Sequence, residues 1–128
     1  MPRTPLVLIL GADAPTRVLL RSLLDALGAD CTEVAPLDAL ATALPPAETL
    51  ALVVAQPDPS VPIGPLLTRL RQHGYQGPII VLASQASDAL RQQAFILGVA
   101  DVVSLPADPT DLRVRLRVLL PTPLPDGE

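Results

Sequence analysis

The 128-residue sequence contains no lysine, and all nine of its basic side chains are arginines. Mechanisms that need an ammonium group, whether as a Schiff base or as a phosphate clamp, are therefore excluded. Aromatic residues are nearly as scarce, Tyr75 and Phe95 being the only two. With a formal net charge of −4 as well, the chain lacks both the stacking platforms and the electrostatic footprint that nucleic acids require, so nucleic acid is not an expected partner. Cys31 and His73 are the single cysteine and the single histidine. One cysteine permits no intrachain disulfide, and the pair is too small for a Cys/His metal site. Apolar runs are short: Leu6 to Leu10 spans five residues, against the ~20 needed to cross a bilayer. No small-residue cleavage pattern follows the stretch Met1 to Pro5, and a cytoplasmic protein is expected.

What is present reads as alternating strands and helices. Leu6 to Leu10 is a continuous apolar run between Pro5 and Gly11, the pattern of a strand buried on both faces of a parallel sheet. Asp13 can cap a helix with Pro15 in its first turn, whose buried stripe is Val18, Leu20, Leu23, Leu24 and Leu27 and whose stop is Gly28. A second strand is expected from Cys31 to Ala35, then a helix opened by Pro36 and ended by Pro45-Pro46. Leu50 to Ala55 gives a third strand. The segment Gln56 to Pro62 holds three prolines, which fix φ and remove backbone donors, so it is a loop at that strand's end.

The pattern then repeats. A helix over about Ile63 to His73 stops at Gly74, and Pro78 to Leu82 is a fourth strand. Ser84 or Ser87 caps a helix that buries Leu90, Ala94, Phe95 and Leu97 and stops at Gly98. Asp101 to Ser104 is a shorter fifth strand. From Leu112 to Val118 the residues alternate with period two, as in a strand, yet Leu112, Leu116, Leu119 and Leu120 also share a helical face. The preceding Asp108-Pro-Thr-Asp111 carries a cap, a proline in the first turn and an acid three residues on, which favours a helix. The expectation is one α/β domain over residues 1–120, a doubly wound sheet with helices on both faces, and a Pro-rich tail over 121–128.

Three segments carry a more specific likeness: Val7-Leu-Ile-Leu-Gly-Ala-Asp-Ala-Pro-Thr-Arg17, Leu52-Val-Val-Ala-Gln56 with Gly64 beyond it, and Gly98-Val-Ala-Asp-Val-Val-Ser-Leu-Pro106. In order and spacing they resemble the receiver domain of bacterial response regulators over about residues 5 to 120. The resemblance implies a five-stranded parallel, flavodoxin-like (CheY-like) sheet in the order 2-1-3-4-5. It also implies a site where an aspartate after the third strand accepts a phosphoryl group from a histidine kinase. Two acids hold Mg²⁺ there, a hydroxyl ends the fourth strand, and a lysine precedes a proline after the fifth. Such chemistry needs a carboxylate nucleophile and positive charge to meet the transition state.

Position by position, those residues are replaced. The acid pair falls on Gly11 and Ala12, the acceptor on Gln56, the hydroxyl on Ala83, the lysine on Leu105, and the aromatic switch residue of the fifth strand on Val102. A carboxamide is no acyl-phosphate nucleophile and carries none of a phosphoaspartate's charge. Asp13 and Asp58 are the acids left nearby; a helix cap and a turn between prolines account for them. Pro106 matches the family's proline, and the resemblance implies a cis Leu105–Pro106 bond. No Mg²⁺ is expected.

The leading functional expectation is therefore a pseudo-receiver, not an enzyme, that docks or dimerises without accepting phosphate. In the family, the fourth helix, fifth strand and fifth helix commonly form the output and dimer face. The region here offers Arg91, Asp101, Arg113, Arg115 and Arg117, with Asp88 and Asp111, though charges on an ordinary solvated face account for them as well. Two alternatives stand beside it. One is phosphorylation at the displaced Asp58; the other is a small-ligand hollow at the strand ends, lined by Gly11, Ala12, Ala55, Ala83 and Leu105.

Overall fold

The computed structural model describes residues 4–34, 44–57, 63–84 and 86–121. The five expected strands are present: β1 (Leu6–Leu10), β2 (Asp30–Val34), β3 (Leu50–Ala55), β4 (Ile79–Ser84) and β5 (Asp101–Leu105). They form one sheet in the order β2-β1-β3-β4-β5, and every pairing is parallel. The helices described are α1 (Ala14–Ala26), α2 (Ile63–Gln72), α3 (Asp88–Ile96) and α4 (Pro109–Leu119). The helix expected from Pro36 and the acid Asp58 lie outside the described residues.

Alternation along each strand divides the core into two layers, because successive side chains point to opposite faces. Leu8, Leu10, Val53, Ala55, Ile79 and Val81 join Leu66, Leu67 and Leu70 of α2 and Ala94 of α3 on one side. Val7, Ile9, Leu52, Val54, Ile80 and Leu82 join Leu20, Leu23 and Leu24 of α1 and Leu112 and Leu116 of α4 on the other. Burial on both faces explains why the central strands are continuously apolar. Tyr75 packs with the first layer, donating its hydroxyl to the Pro78 carbonyl at 2.6 Å.

The period-two stretch after Leu112 is helical. The Asp108 carboxylate accepts from the Thr110 N–H, Pro109 opens the helix, and Leu112 and Leu116 are fully buried. Once a cap fixes the first turn, each further residue adds a hydrogen bond, so the start signal outweighs the alternation. Two expected buried stripes are narrower than the sequence suggested. In α1, Val18 is 70% exposed and Thr16 is buried in its place. In α3, Ala94 alone is fully buried, while Phe95 and Leu97 are exposed. A nine-residue helix lying along a sheet edge contributes only one row of contacts to the core. Ser87, not Ser84, caps α3, its hydroxyl accepting from the Leu90 N–H at 3.1 Å; β4 runs on to Ser84 instead.

Candidate functional site at the ends of the strands

The carboxyl ends of β1 and β3 lie side by side, Leu10 opposite Ala55. Gly11 follows β1 with φ +68°, donating its N–H to the Val34 carbonyl at 3.1 Å. A Cβ there would stand 3.2 Å from the Gln56 carbonyl oxygen, so both the backbone sign and the close approach favour glycine. The turn delivers Asp13 to the N-cap of α1, where its Oδ1 accepts from the Thr16 N–H at 2.9 Å.

Gln56 then reaches across from β3 and holds Asp13 at two points. Its Oε1 accepts from the Asp13 N–H at 3.0 Å, and its Nε2 donates to Asp13 Oδ2 at 2.9 Å. The Gln56 backbone N–H bonds the Leu10 carbonyl at 3.0 Å, so the residue is anchored to β1 as well. The hydrogen bonds from Thr16 first, and that from Gln56 after them, hold the Asp13 carboxyl below its ordinary value of 3.8.

Around this clasp the remaining positions are apolar. Ala12, Leu105 and Ala107 pack against the core layer of α1 and α4. Ala83 is buried at the end of β4, and the Leu105–Pro106 bond is cis. These residues do not fit the Mg²⁺ that the resemblance implied. Such an ion takes near-octahedral oxygen ligands, usually from one or two carboxylates. Here Asp13 spends one oxygen on a helix cap and the other on an amide donor. Among the described residues, no three His, Cys, Asp or Glu side chains cluster to hold a metal ion.

A second constellation closes the edge of the sheet. β5 is an edge strand, and side chains take both backbone groups of Val102. Its N–H donates to Asp101 Oδ1 at 2.8 Å, and its carbonyl accepts from Arg91 Nη1 at 3.0 Å. Arg91 Nη2 also reaches Ser104 Oγ at 3.2 Å. From the other face, Arg115 Nη1 contacts both oxygens of Asp101, at 3.0 and 2.8 Å, and its Nε contacts Asp111 Oδ2 at 3.1 Å. Of the five candidate interface residues, the structure thus gathers Arg91, Asp101 and Arg115 into bonds within the chain. Arg113 and Arg117 are exposed and outside the ion pairs found among the described residues. Charges with no ladder partner of their own commonly protect an edge from pairing with another chain.

The sequence assigned Asp13 its cap and Gln56 its position but did not join them. The available signal was topological: in this strand order β1 and β3 are neighbours, so whatever follows each must meet. The guarding of Val102 had no sequence signal, since Arg91 comes from a helix eleven residues earlier.

The strand order with helices on both faces defines the flavodoxin-like, CheY-like receiver fold. No family model matches the sequence, and no curated protein matches it. Solved structures do match. The non-phosphorylated HemR receiver domain from Leptospira biflexa superposes with a TM-score of 0.80 at 20% identity, covering 95% of this chain and 98% of that one. The BeF3-activated N-terminal receiver domain of Klebsiella pneumoniae RstA gives 0.73 at 24% identity, covering 91% and 99%. The Vibrio cholerae chemotaxis protein CheY4 gives 0.73 at 19% identity, covering 92% and 100%. No described helix is long and apolar enough to cross a membrane.

Proposed function

We propose that this chain is a receiver-like module of two-component signalling that works by docking to protein rather than by accepting a phosphoryl group. The observation that carries this reading is the Gln56–Asp13 clasp. In the position of the acceptor stands a carboxamide, and Asp13, the acid beside it among the described residues, is already committed to that amide and to a helix cap. Apolar Ala12 and Leu105, partly buried against the core, take the places of a metal ligand and of the lysine. Neither the nucleophile nor the charge for phosphoryl transfer is supplied. The preserved scaffold leaves its surfaces to act, and the α3–β5–α4 side, with Arg113, Arg117 and exposed Phe95, Ile96, Val114 and Val118, is the proposed contact face.

The test is incubation of the protein with a small-molecule phosphodonor and Mg²⁺, followed by intact mass measurement. No phosphoryl adduct is expected. An adduct overturns the reading, and peptide mapping then shows whether Asp58 carries it. The ligand-hollow alternative is disfavoured because the Gln56 side chain spans the ends of β1 and β3 where that hollow was expected.

A further inference from the structure

The two edges of the sheet differ. At β5, the side chains of Asp101 and Arg91 take both backbone groups of Val102. The opposite edge, β2, has no such cover among the described residues. The Asp30 N–H donates to the Pro5 carbonyl, and the Val34 carbonyl accepts from the Gly11 N–H, so the backbone groups of residues 30, 32 and 34 face β1. Those of Cys31 and Glu33 therefore point away from the sheet. Edges of this kind are commonly blunted by lysine, proline or a bulge. The chain has no lysine, no proline stands in β2, and its register with β1 runs unbroken from Asp30 to Val34. The outward N–H and C=O groups of Cys31 and Glu33 are left as a template for a further strand.

Charge around this edge is balanced. Arg17 and Arg21 of α1 pair with Glu33, and Asp30 is exposed at the start of the strand, although the chain as a whole carries −4. We propose that β2 pairs with β2 of a second copy of this chain, antiparallel and with Thr32 on the two-fold axis, so that two sheets become one. Cys31 of each copy then exchanges both N–H···O bonds with Glu33 of the other, which uses every outward group of the two residues. On the α1 side, Glu33 of each copy comes level with Cys31 of the other. Arg21 bonds Glu33 and lies within electrostatic reach of Cys31, so it stands between the Glu33 of its own chain and that of the other copy. On the opposite face, Thr32 meets its own counterpart in a favourable cross-strand pair. The contact is isologous and closes at two subunits. The guarded β5 strands lie at the two ends of the joined sheet, so it grows no further. Strands of five residues make a small interface, and the dissociation constant is on the order of 10–100 μM. The pairing leaves the α3–β5–α4 side free in both copies, and it goes beyond the docking reading above without depending on it.

Sedimentation equilibrium on the full chain from about 10 μM to 1 mM is the first measurement; a concentration-dependent dimer is expected. Thr32→Lys sets like charges directly opposite one another and is expected to weaken association by about tenfold or more, and Thr32→Glu does the same. An equimolar mixture of these two variants is expected to associate again as a heterodimer, a rescue that damage to local structure would not produce. In a Cys31→Ser background, Thr32→Cys is expected to give a covalent dimer with oxidised glutathione. A non-hydrogen-bonded pair sets the two Cα atoms about 4.5 Å apart, within the span a disulfide allows. A monomer across the whole concentration range overturns the proposal. So does a dimer that neither cross-links at position 32 nor responds to Thr32→Lys, since it pairs elsewhere. Both results leave the phosphodonor experiment to judge the docking module separately.

Discussion

Gln56→Glu is the substitution that most directly tests the clasp, since it preserves size and changes only the chemistry of one atom. The wild-type amide accepts from the Asp13 N–H and donates to the Asp13 carboxylate. An ionised carboxyl can still accept but cannot donate, so two carboxylate oxygens meet where a hydrogen bond stood. Losing a hydrogen bond to a charged group costs about 1.5–3 kcal/mol. Repulsion adds only ~1 kcal/mol, because the site is exposed and water screens it. The exposure also favours the lower end of the first range, and about 2.5 kcal/mol at pH 7 is expected. For a domain of this size, that lowers the melting temperature by about 9 °C. The pH dependence is the sharper part. Facing Asp13, the introduced carboxyl has a folded-state pKa raised above its unfolded value of ~4.3. Its penalty is therefore complete above the folded pKa, fades as pH falls through it, and is absent below ~4, where a shared proton restores a donor. Thermal melts of both proteins followed by circular dichroism between pH 3 and 8 measure the gap. A gap that is missing at pH 7, or equally large at pH 3.5, refutes the account of the clasp.

Three further outcomes follow from other parts of the structure. Arg91→Ala removes bonds to Val102 and Ser104; a loss of about 1–2 kcal/mol and new concentration-dependent light scattering are expected as the β5 edge is uncovered. Burial raises the Tyr75 hydroxyl well above its ordinary 10.0, with Arg71 beside the ring partly opposing the shift. Stability from this group is full below pH ~10 and falls as pH rises towards the folded value. Since the chain has one tyrosine and no lysine, Tyr75→Phe is expected to remove most of the slope between pH 10 and 12 in denaturant titrations. Gly77→Ala would place a Cβ 2.6 Å from the Tyr75 hydroxyl oxygen, and overpacking of this kind is expected to cost about 1–3 kcal/mol by equilibrium unfolding.

The architecture was legible because it is written in periodicities that depend on near neighbours. Leu50 to Ala55 is read as a strand and is one, residue for residue, and caps at Asp13, Ser87 and Asp108 mark three helix starts. What proved illegible depends on distance. Val18 satisfies the spacing of a buried stripe yet faces solvent, since which side of a helix meets the sheet is settled by packing rather than by apolar character alone. Likewise Arg91, Asp101 and Arg115 carry the signature of a charged interface, but their partners lie in neighbouring elements of the same chain. A sequence shows that a charge is present and not whether it is already used.

The site itself was half legible, and the missing half bears on function. Each strand-end position could be assigned a residue, but assignment alone describes a loss: no acid pair, no acceptor, no lysine. The geometry shows a replacement. In a phosphate-accepting site, adjacent carboxylates repel one another and depend on a bound cation, so the strand ends are held under electrostatic tension that ligands relieve. Here the Gln56 amide meets one carboxylate and one N–H with a complementary acceptor and donor, and that tension is absent. On the proposed reading, such a site gives a metal or a phosphoryl group nothing to relieve, and a two-state element responds only to a ligand that favours one state over the other. The clasp ties the ends of β1 and β3 together, and the proposed docking function is the one that such a tie serves, because a docking face needs to be presented in one arrangement.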